Sequence, residues 1–341
     1  MRFPYAWSIM SNELPDVGAE HRPSILKLIG WGRRNIAAQG LVAVVLTLVV
    51  LYLLLTRIDA RQTLYALRDI PTQTWVAAVL LAVSSPAISA VRWHVTLRVM
   101  GHPVTVGRCL LIIIGIWPLN AISPAKAADL LKIVGLRRRT PSTVVLSSVL
   151  TERSLDILTL AAFALLGGLA LREWPIVLIA ASIFAAAGIA VGLAYLGTRV
   201  PVRFSFQDKV RHVLHSLRSL LHHPRALAII VFLTAINWFG SILQVKLLFD
   251  GVGAHTPLGL TTAAMPIAIF VGLLPVTVAG MGTRDSAMIV LFSTVASASQ
   301  VLSVSLLYPI LNYWLLAIIG IPFTAWALDW GRPYSDERGA P

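Results

Sequence analysis

Charge is scarce in this chain. Only 13% of its 341 residues are Asp, Glu, Lys or Arg, against 57% hydrophobic, and a soluble domain carries about twice that charged share. A soluble enzyme is thereby excluded. Acids are the scarcer sign, 15 against 28 Lys and Arg for a formal charge of +13. In an apolar chain that excess reads as basic loops facing an anionic leaflet, and nucleic acid is a poor alternative partner. Cys109 is the one cysteine, so neither an internal disulfide framework nor a multi-cysteine metal site is available. No Ser/His/Asp arrangement, P-loop glycine run, zinc helix motif or Asp-x-Asp motif occurs either. No catalytic residue, cofactor or metal is expected.

What the chain has instead is long uncharged runs. Residues 1–34 are mixed, broken by Pro4, Pro15 and Pro23 and closed by Lys27, Arg33 and Arg34; no signal peptide is expected there, and the segment is assigned to the cytoplasm. Asn35–Thr56 carries no charge and is long enough to cross about 30 Å of hydrocarbon. Further spans are expected at Ile70–Val91, Ser142–Leu171, Trp174–Thr198, Ala226–Phe249 and Val301–Leu328. Arg92, Trp93 and Arg98 read as the basic and aromatic belt closing the second span. Lys246 is expected to snorkel to the outer interface or to meet an intramembrane acid such as Asp156, and His94 and His102 read as interfacial.

Two runs are interrupted. Cys109–Ala125 holds Pro118 and Pro124, and Thr261–Phe292 holds Pro266, Pro275, Gly280 and Gly282. Proline removes a backbone donor and kinks a helix, and irregular backbone at membrane depth survives only against protein or a wet cavity. Both read as broken, re-entrant hairpins. Between the halves lies a basic linker, 199–225, where Val210, Val213, Leu214, Leu217, Leu220 and Leu221 recur at helical spacing. It reads as an amphipathic surface helix whose His212, His215, His222 and His223 belong to a solvated basic face rather than a metal site.

Pro118 and Pro275 stand 157 residues apart, and each is followed by a cation and then an acid. Roughly the same offset carries the second span onto the fifth and the third onto the last. The expected fold is therefore an all-α integral membrane protein, a polytopic helical bundle of about six full spans plus the two hairpins. Its half-repeats are 35–198 and 226–328 within a 35–328 membrane domain, followed by a 329–341 tail. Three crossings per half is an odd number, which makes the repeat inverted. With both hairpins returning to the side they enter from, Arg92/Arg98/Arg108, Arg137–Arg139 and the linker share one side. The positive-inside rule makes that side cytoplasmic, with both termini on it. Arg57, Arg61 and Arg68, offset by Asp59 and Asp69, run against that assignment.

Ionisable groups within spans cost at least about 2.5 kcal/mol each on insertion scales, so a cluster calls for a reason. Lys126, Asp129 and Lys132 share a helix face just after Ser123-Pro124, where a helix start and two cations suit an anion. Alternatively the lysines pair with Asp129 or snorkel. Glu152 and Asp156 are i,i+4, with Arg153 able to bridge to Asp156; they line a polar cavity or serve packing alone. Arg284 and Asp285 follow Gly280-Met281-Gly282, where glycines allow close backbone approach, and are expected near the leaflet opposite Lys126.

Three of these stretches, 122–132, 151–156 and 280–285, resemble the membrane region of the lysylphosphatidylglycerol synthase family, a flippase-like domain. They correspond to its Pro-small-Arg-x-Gly-acid-x-x-Arg, Glu-Arg-x-x-Asp and Gly-x-Gly-x-Arg-acid patterns, and the resemblance covers about residues 36–328. Lys126 and Lys132 replace the family's Arg, Ala128 its Gly, and Pro309 stands where an Arg is common near the start of the last span. A lysine meets phosphate as a point charge, without a bidentate fork. No stretch reads as the aminoacyl-transferring domain, so aminoacylation is not implied.

The resemblance implies a lipid flippase or transporter in the cell membrane for a phospholipid-like or polyprenyl-phosphate-linked head group. Lys126, Lys132, Arg153 and Arg284 would be its phosphate contacts, and Asp129, Glu152, Asp156 and Asp285 would orient them or meet a cationic head group. The alternatives are a membrane-embedded enzyme on lipid, with the carboxylates as acid or base, and an accessory subunit of an envelope-lipid pathway. The expected partners are anionic membrane lipids, a second copy, or envelope-lipid enzymes.

Overall fold

In the computed structural model, described for residues 70–137, 140–197, 219–220, 222–273, 277 and 280–328 (backbone alone for 124–126 and 190–197), every regular element is a helix. The expected span Asn35–Thr56, most of the linker, both tails, Arg138, Arg139, Pro275 and the side chain of Lys126 lie outside the described residues.

Four helices are long and apolar enough to cross a bilayer: α1 (Thr72–Val99), α4 (Ser142–Leu171), α6 (Pro224–Gly251) and the rod α9 (Ala298–Ala327). Between α1 and α4 come α2 (Val106–Ile122), a 3-10 stretch (Pro124–Leu131) and α3 (Lys132–Leu136). α5 (Trp174–Gly197) precedes α6, and α7 (Leu258–Gly272) and α8 (Thr283–Phe292) lie between α6 and α9. The chain is a membrane-embedded, all-α bundle.

The same local chemistry ends the two 28-residue helices, α1 and α6. Gly101 and Gly253 follow them at positive φ, 81° and 75°. His102 N–H donates to Leu97 O, and Ala254 N–H to Phe249 O, each at 2.9 Å. This is the left-handed glycine stop that satisfies orphan carbonyls at a helix end. Each stop launches a hairpin. α4 and α9 share a length of 30 residues.

α1 and α6 pack antiparallel along their whole length. Gly251 at the end of α6 meets Thr74 at the start of α1, Gln244 Nε2 donates to Ala78 O at 2.8 Å, and Arg92 Nη1 reaches Thr234 Oγ1 at 3.2 Å. The first hairpin returns to its entry side, because Arg108 near the start of α2 donates to Gly135 O in α3 (3.1 Å) and to Trp326 O at the end of α9 (3.2 Å). The second returns too: Phe292 ends α8 against Phe249 at the end of α6, ring centroids 4.7 Å apart. Since α1 and α6 run in opposite directions, the hairpins enter from opposite ends of the bundle.

The packing between halves is reciprocal. The end of α4 lies on the start of α7, with Gly167 against Ala263 and Leu171 against Gly259; the end of α9 lies on α2, with Ala327 and Phe323 against Gly115. Pro118 departs from expectation, because α2 continues through it and the break falls at Ser123, whose φ and ψ are extended (−90°, 139°). A proline at position 118 cannot donate to Ile114 O. Gly320 of α9 closes on that carbonyl and on the Pro118 ring, so tightly that a Cβ there would sit 2.3 Å from the oxygen.

Candidate functional site

The charged residues of the first half converge at the tip of the first hairpin. The 3-10 stretch turns Asp129 inward (7% exposed), and α3 begins with Lys132 (5%). α4 supplies Glu152 (1%), Arg153 and Asp156 (6%). Lys132 Nζ lies 2.6 Å from Glu152 Oε2 and 4.9 Å from the centroid of the Trp93 ring. Arg153 pairs with Asp129 and, at 3.4 Å, with Asp156. Asn120 Nδ2 donates to Asp129 at 2.7 Å, and Trp238 Nε1 to Asp156 at 3.0 Å.

Arg92 stands at the centre of this network, 2.7 Å from Asp156 and 3.5 Å from Glu152. The reading of Arg92 and Trp93 as an interfacial belt is corrected: they are 4% and 0% exposed, and Trp93 Nε1 donates to Ser148 Oγ at 2.9 Å. α1 runs on past Arg92 to Val99, so the apolar stretch does not end at the arginine. The missed signal was a polar stripe, Ser85, Ser89, Arg92 and Thr96, spaced as one face of a helix. Among the described side chains the network is balanced, three cations against three carboxylates. Burying an ion pair is tolerable when partners and hydrogen bonds are complete, and removing one partner is not.

The network borders a small polar cavity of about 80 Å³, large enough to hold water. α1 adds Ser85 and Ser89 to its wall, α6 adds Asn237, Trp238 and Ser241, and α9 adds Tyr308, Asn312 and Tyr313. Glu152 Oε1, Asn120 Oδ1, Asn237 Oδ1 and Arg92 Nε are buried without hydrogen-bond partners. The wall therefore carries unmet acceptors and an unmet donor side by side.

Arg284 and Asp285 start α8 from the second hairpin. Gly280 and Gly282 adopt φ of 71° and 93°, and a Cβ on Gly280 would meet Gly272 O at 2.6 Å. Only glycine passes there without strain. Asp285 Oδ2 accepts from Gly282 N–H at 2.9 Å, closing the helix start. Arg284, 3% exposed, donates to Asp285 Oδ1 (3.0 Å) and to Ser305 O (3.2 Å), and lies 5.1 Å from the Tyr308 ring centroid. The Ser305 carbonyl is free to accept because Pro309, four residues on, has no N–H to give it. Pro309 thus creates a partner for Arg284, and α9 continues beyond it through a π turn, Ile310–Leu315.

Arg284 comes close to the first group inside the bundle. A second cavity is bordered by Arg284 and by Arg153, Asp156, Trp238, Tyr308 and Tyr313, all five of which border the first. The hairpins enter from opposite ends, but their tips meet mid-bundle across two tyrosines. Lys246 pairs with Asp250, one turn on along α6.

The family model described as lysylphosphatidylglycerol synthase TM region matches residues 40–320. A UPF0104 membrane protein of Methanothermobacter thermautotrophicus is 22% identical over 317 residues, which cover 83% of this chain and 94% of that protein. The chain belongs to the lysylphosphatidylglycerol synthase TM-region family.

Proposed function

We propose that this member of the lysylphosphatidylglycerol synthase TM-region family is a lipid transporter that carries a phospholipid-like or polyprenyl-phosphate-linked head group between leaflets of the cell membrane. The observation that carries the reading is the balanced ion network around a small cavity where two opposed hairpins meet. Five buried ionisable groups with a half-buried Arg153 beside them are costly in hydrocarbon, and their place at the junction of discontinuous helices is where transporters of inverted-repeat design bind substrate. Lys132, Arg153 and Arg284 are all engaged by carboxylates. A head group enters by exchange: its phosphate takes over a cation, and the released carboxylate meets the head group's own donors. The antiparallel mates, the shared helix stops and the reciprocal packing support the inverted relation of the halves.

The bundle end bearing Arg98, Arg108, Arg137 and Arg225 faces the cytoplasm by the positive-inside rule, and the end bearing Arg172, Glu173, Lys246 and Asp250 faces outward. The completeness of the ion pairs favours a second reading, a scaffold in which they serve packing alone. Translocation of fluorescent phospholipids in liposomes containing the full chain separates the two. Arg153→Gln, at the most accessible of the paired cations (35% exposed side chain), lowers the rate roughly tenfold, the equivalent of ~1.4 kcal/mol, while the protein stays folded. An unchanged rate removes the transport role.

A further inference from the structure

Beside the polar cavity runs an apolar groove of about 450 Å³ between α1, α4 and α6. Leu81 and Ile88 line it from α1, Phe163 from α4, and Phe232, Phe239 and Leu243 from α6. Phe163 and Phe239 stack at 6.3 Å. The Ser84 hydroxyl on its wall is spent on Leu81 O at 2.8 Å, which leaves the groove without a free polar group on α1. Adjacent faces of one helix divide the work, since Ser85, Ser89 and Arg92 border the cavity while Leu81, Ser84 and Ile88 border the groove. Asn237 borders both, and its Oδ1 is buried without a hydrogen-bond partner.

We propose that cavity and groove form one site for a single amphiphile, with an alkyl chain in the groove, the polar head in the ion network and Asn237 at the neck between them. This deepens the transporter reading and rests on it. The groove adjoins the cavity at Asn237, whose unmet acceptor suits a hydroxyl or amide donor near the head-to-chain junction. A second protein chain against the groove would leave that acceptor and the cavity unused. An alkyl chain moving from bilayer to groove leaves one apolar medium for another, so burial supplies little affinity. Position is then the diagnostic quantity.

The experiment uses the full chain in liposomes of phosphatidylglycerol and phosphatidylethanolamine doped with a phospholipid bearing a photoreactive group on its acyl chain. Crosslinks are mapped by mass spectrometry. Label concentrates on the groove roughly tenfold over lipid-facing positions such as Leu178 and Trp326, a preference equal to ~1.4 kcal/mol. Gly240→Leu fills the groove: a Cβ there meets only Leu81, at 3.8 Å. It removes the excess label, as does Leu243→Trp from the next turn, whereas Gly188→Leu on α5 leaves it. Asn237→Leu lowers the groove label without changing the perimeter label. Label spread evenly around the bundle, or groove label indifferent to Asn237→Leu, overturns the proposal even where translocation is intact. Groove label that depends on Asn237 upholds the site even where Arg153→Gln leaves translocation unchanged, an outcome that counts against the transporter reading alone.

Discussion

The two halves of the described bundle share a skeleton and differ in their chemistry. α4 presents Glu152 and Asp156, one turn apart, to the central cavity; α9, of equal length, presents Tyr308 and Asn312 at the corresponding turn. Around the acids the first half gathers Arg92, Lys132 and Arg153, while at the centre of the second half the described residues place the pair Arg284–Asp285, completed by a carbonyl that Pro309 frees. Neutral contacts do the remaining work there: Asn312 Nδ2 donates to Gln244 Oε1 at 2.8 Å, and Asn312 O accepts from Trp117 Nε1 at 2.8 Å. Two antiparallel halves with one charged and one nearly neutral face are not equivalent toward the two ends of the bundle, and the transporter proposed above would have a preferred side for head-group exchange.

That contrast gives an order of effects. Glu152→Ala strands Lys132 in a buried site and takes from Arg92 the more distant of its two carboxylates, and is expected at the upper end of the roughly 3–5 kcal/mol that breaking a buried pair costs; Asp285→Ala strands Arg284 alone and belongs at the lower end. Thermal unfolding in detergent reads both, and a larger loss at Asp285 would break the comparison. Gly280→Ala follows at about 1–3 kcal/mol, from a positive φ and a carbonyl in the path of the new Cβ. Pro309→Ala returns an N–H to compete for Ser305 O and is expected within about 1 kcal/mol of the parent. A drop as large as that of Asp285→Ala would show that the carbonyl is the main support of Arg284. Lys246→Ala removes a partly exposed i,i+4 pair at a bundle end, worth about 0.3–0.5 kcal/mol, and that small shift should vanish in high salt.

Much of this was legible in the chain itself. Long apolar runs set the long helices because hydrocarbon demands an internally bonded backbone; the expected Ser142–Leu171 is α4, and the last span is displaced by only a few residues. The grouping of Asp129 and Lys132 with Glu152, Arg153 and Asp156 follows local spacing, but their neutralisation by one another does not. It depends on α1 crossing α4 so that Arg92 reaches both acids. Arg92 was misplaced because a cation after an apolar run resembles an interface; the serine stripe leading to it carries the opposite message. Tyr308 and Asn312 gave no signal, since neutral polar residues in a membrane helix are common, and the meeting of the hairpin tips is a property of tertiary packing alone.

The central claim is that two hairpins enter from opposite sides of the membrane and share one polar centre. Single cysteines tested with an impermeant maleimide on oriented vesicles address it most directly, in a Cys109→Ala background, since Cys109 is fully buried. Gly107→Cys lies at the mouth of the first hairpin and Thr294→Cys at the mouth of the second, both exposed. The structure predicts that the reagent added outside labels Thr294→Cys and reaches Gly107→Cys only after the vesicles are opened. Labelling of both from the same side contradicts it.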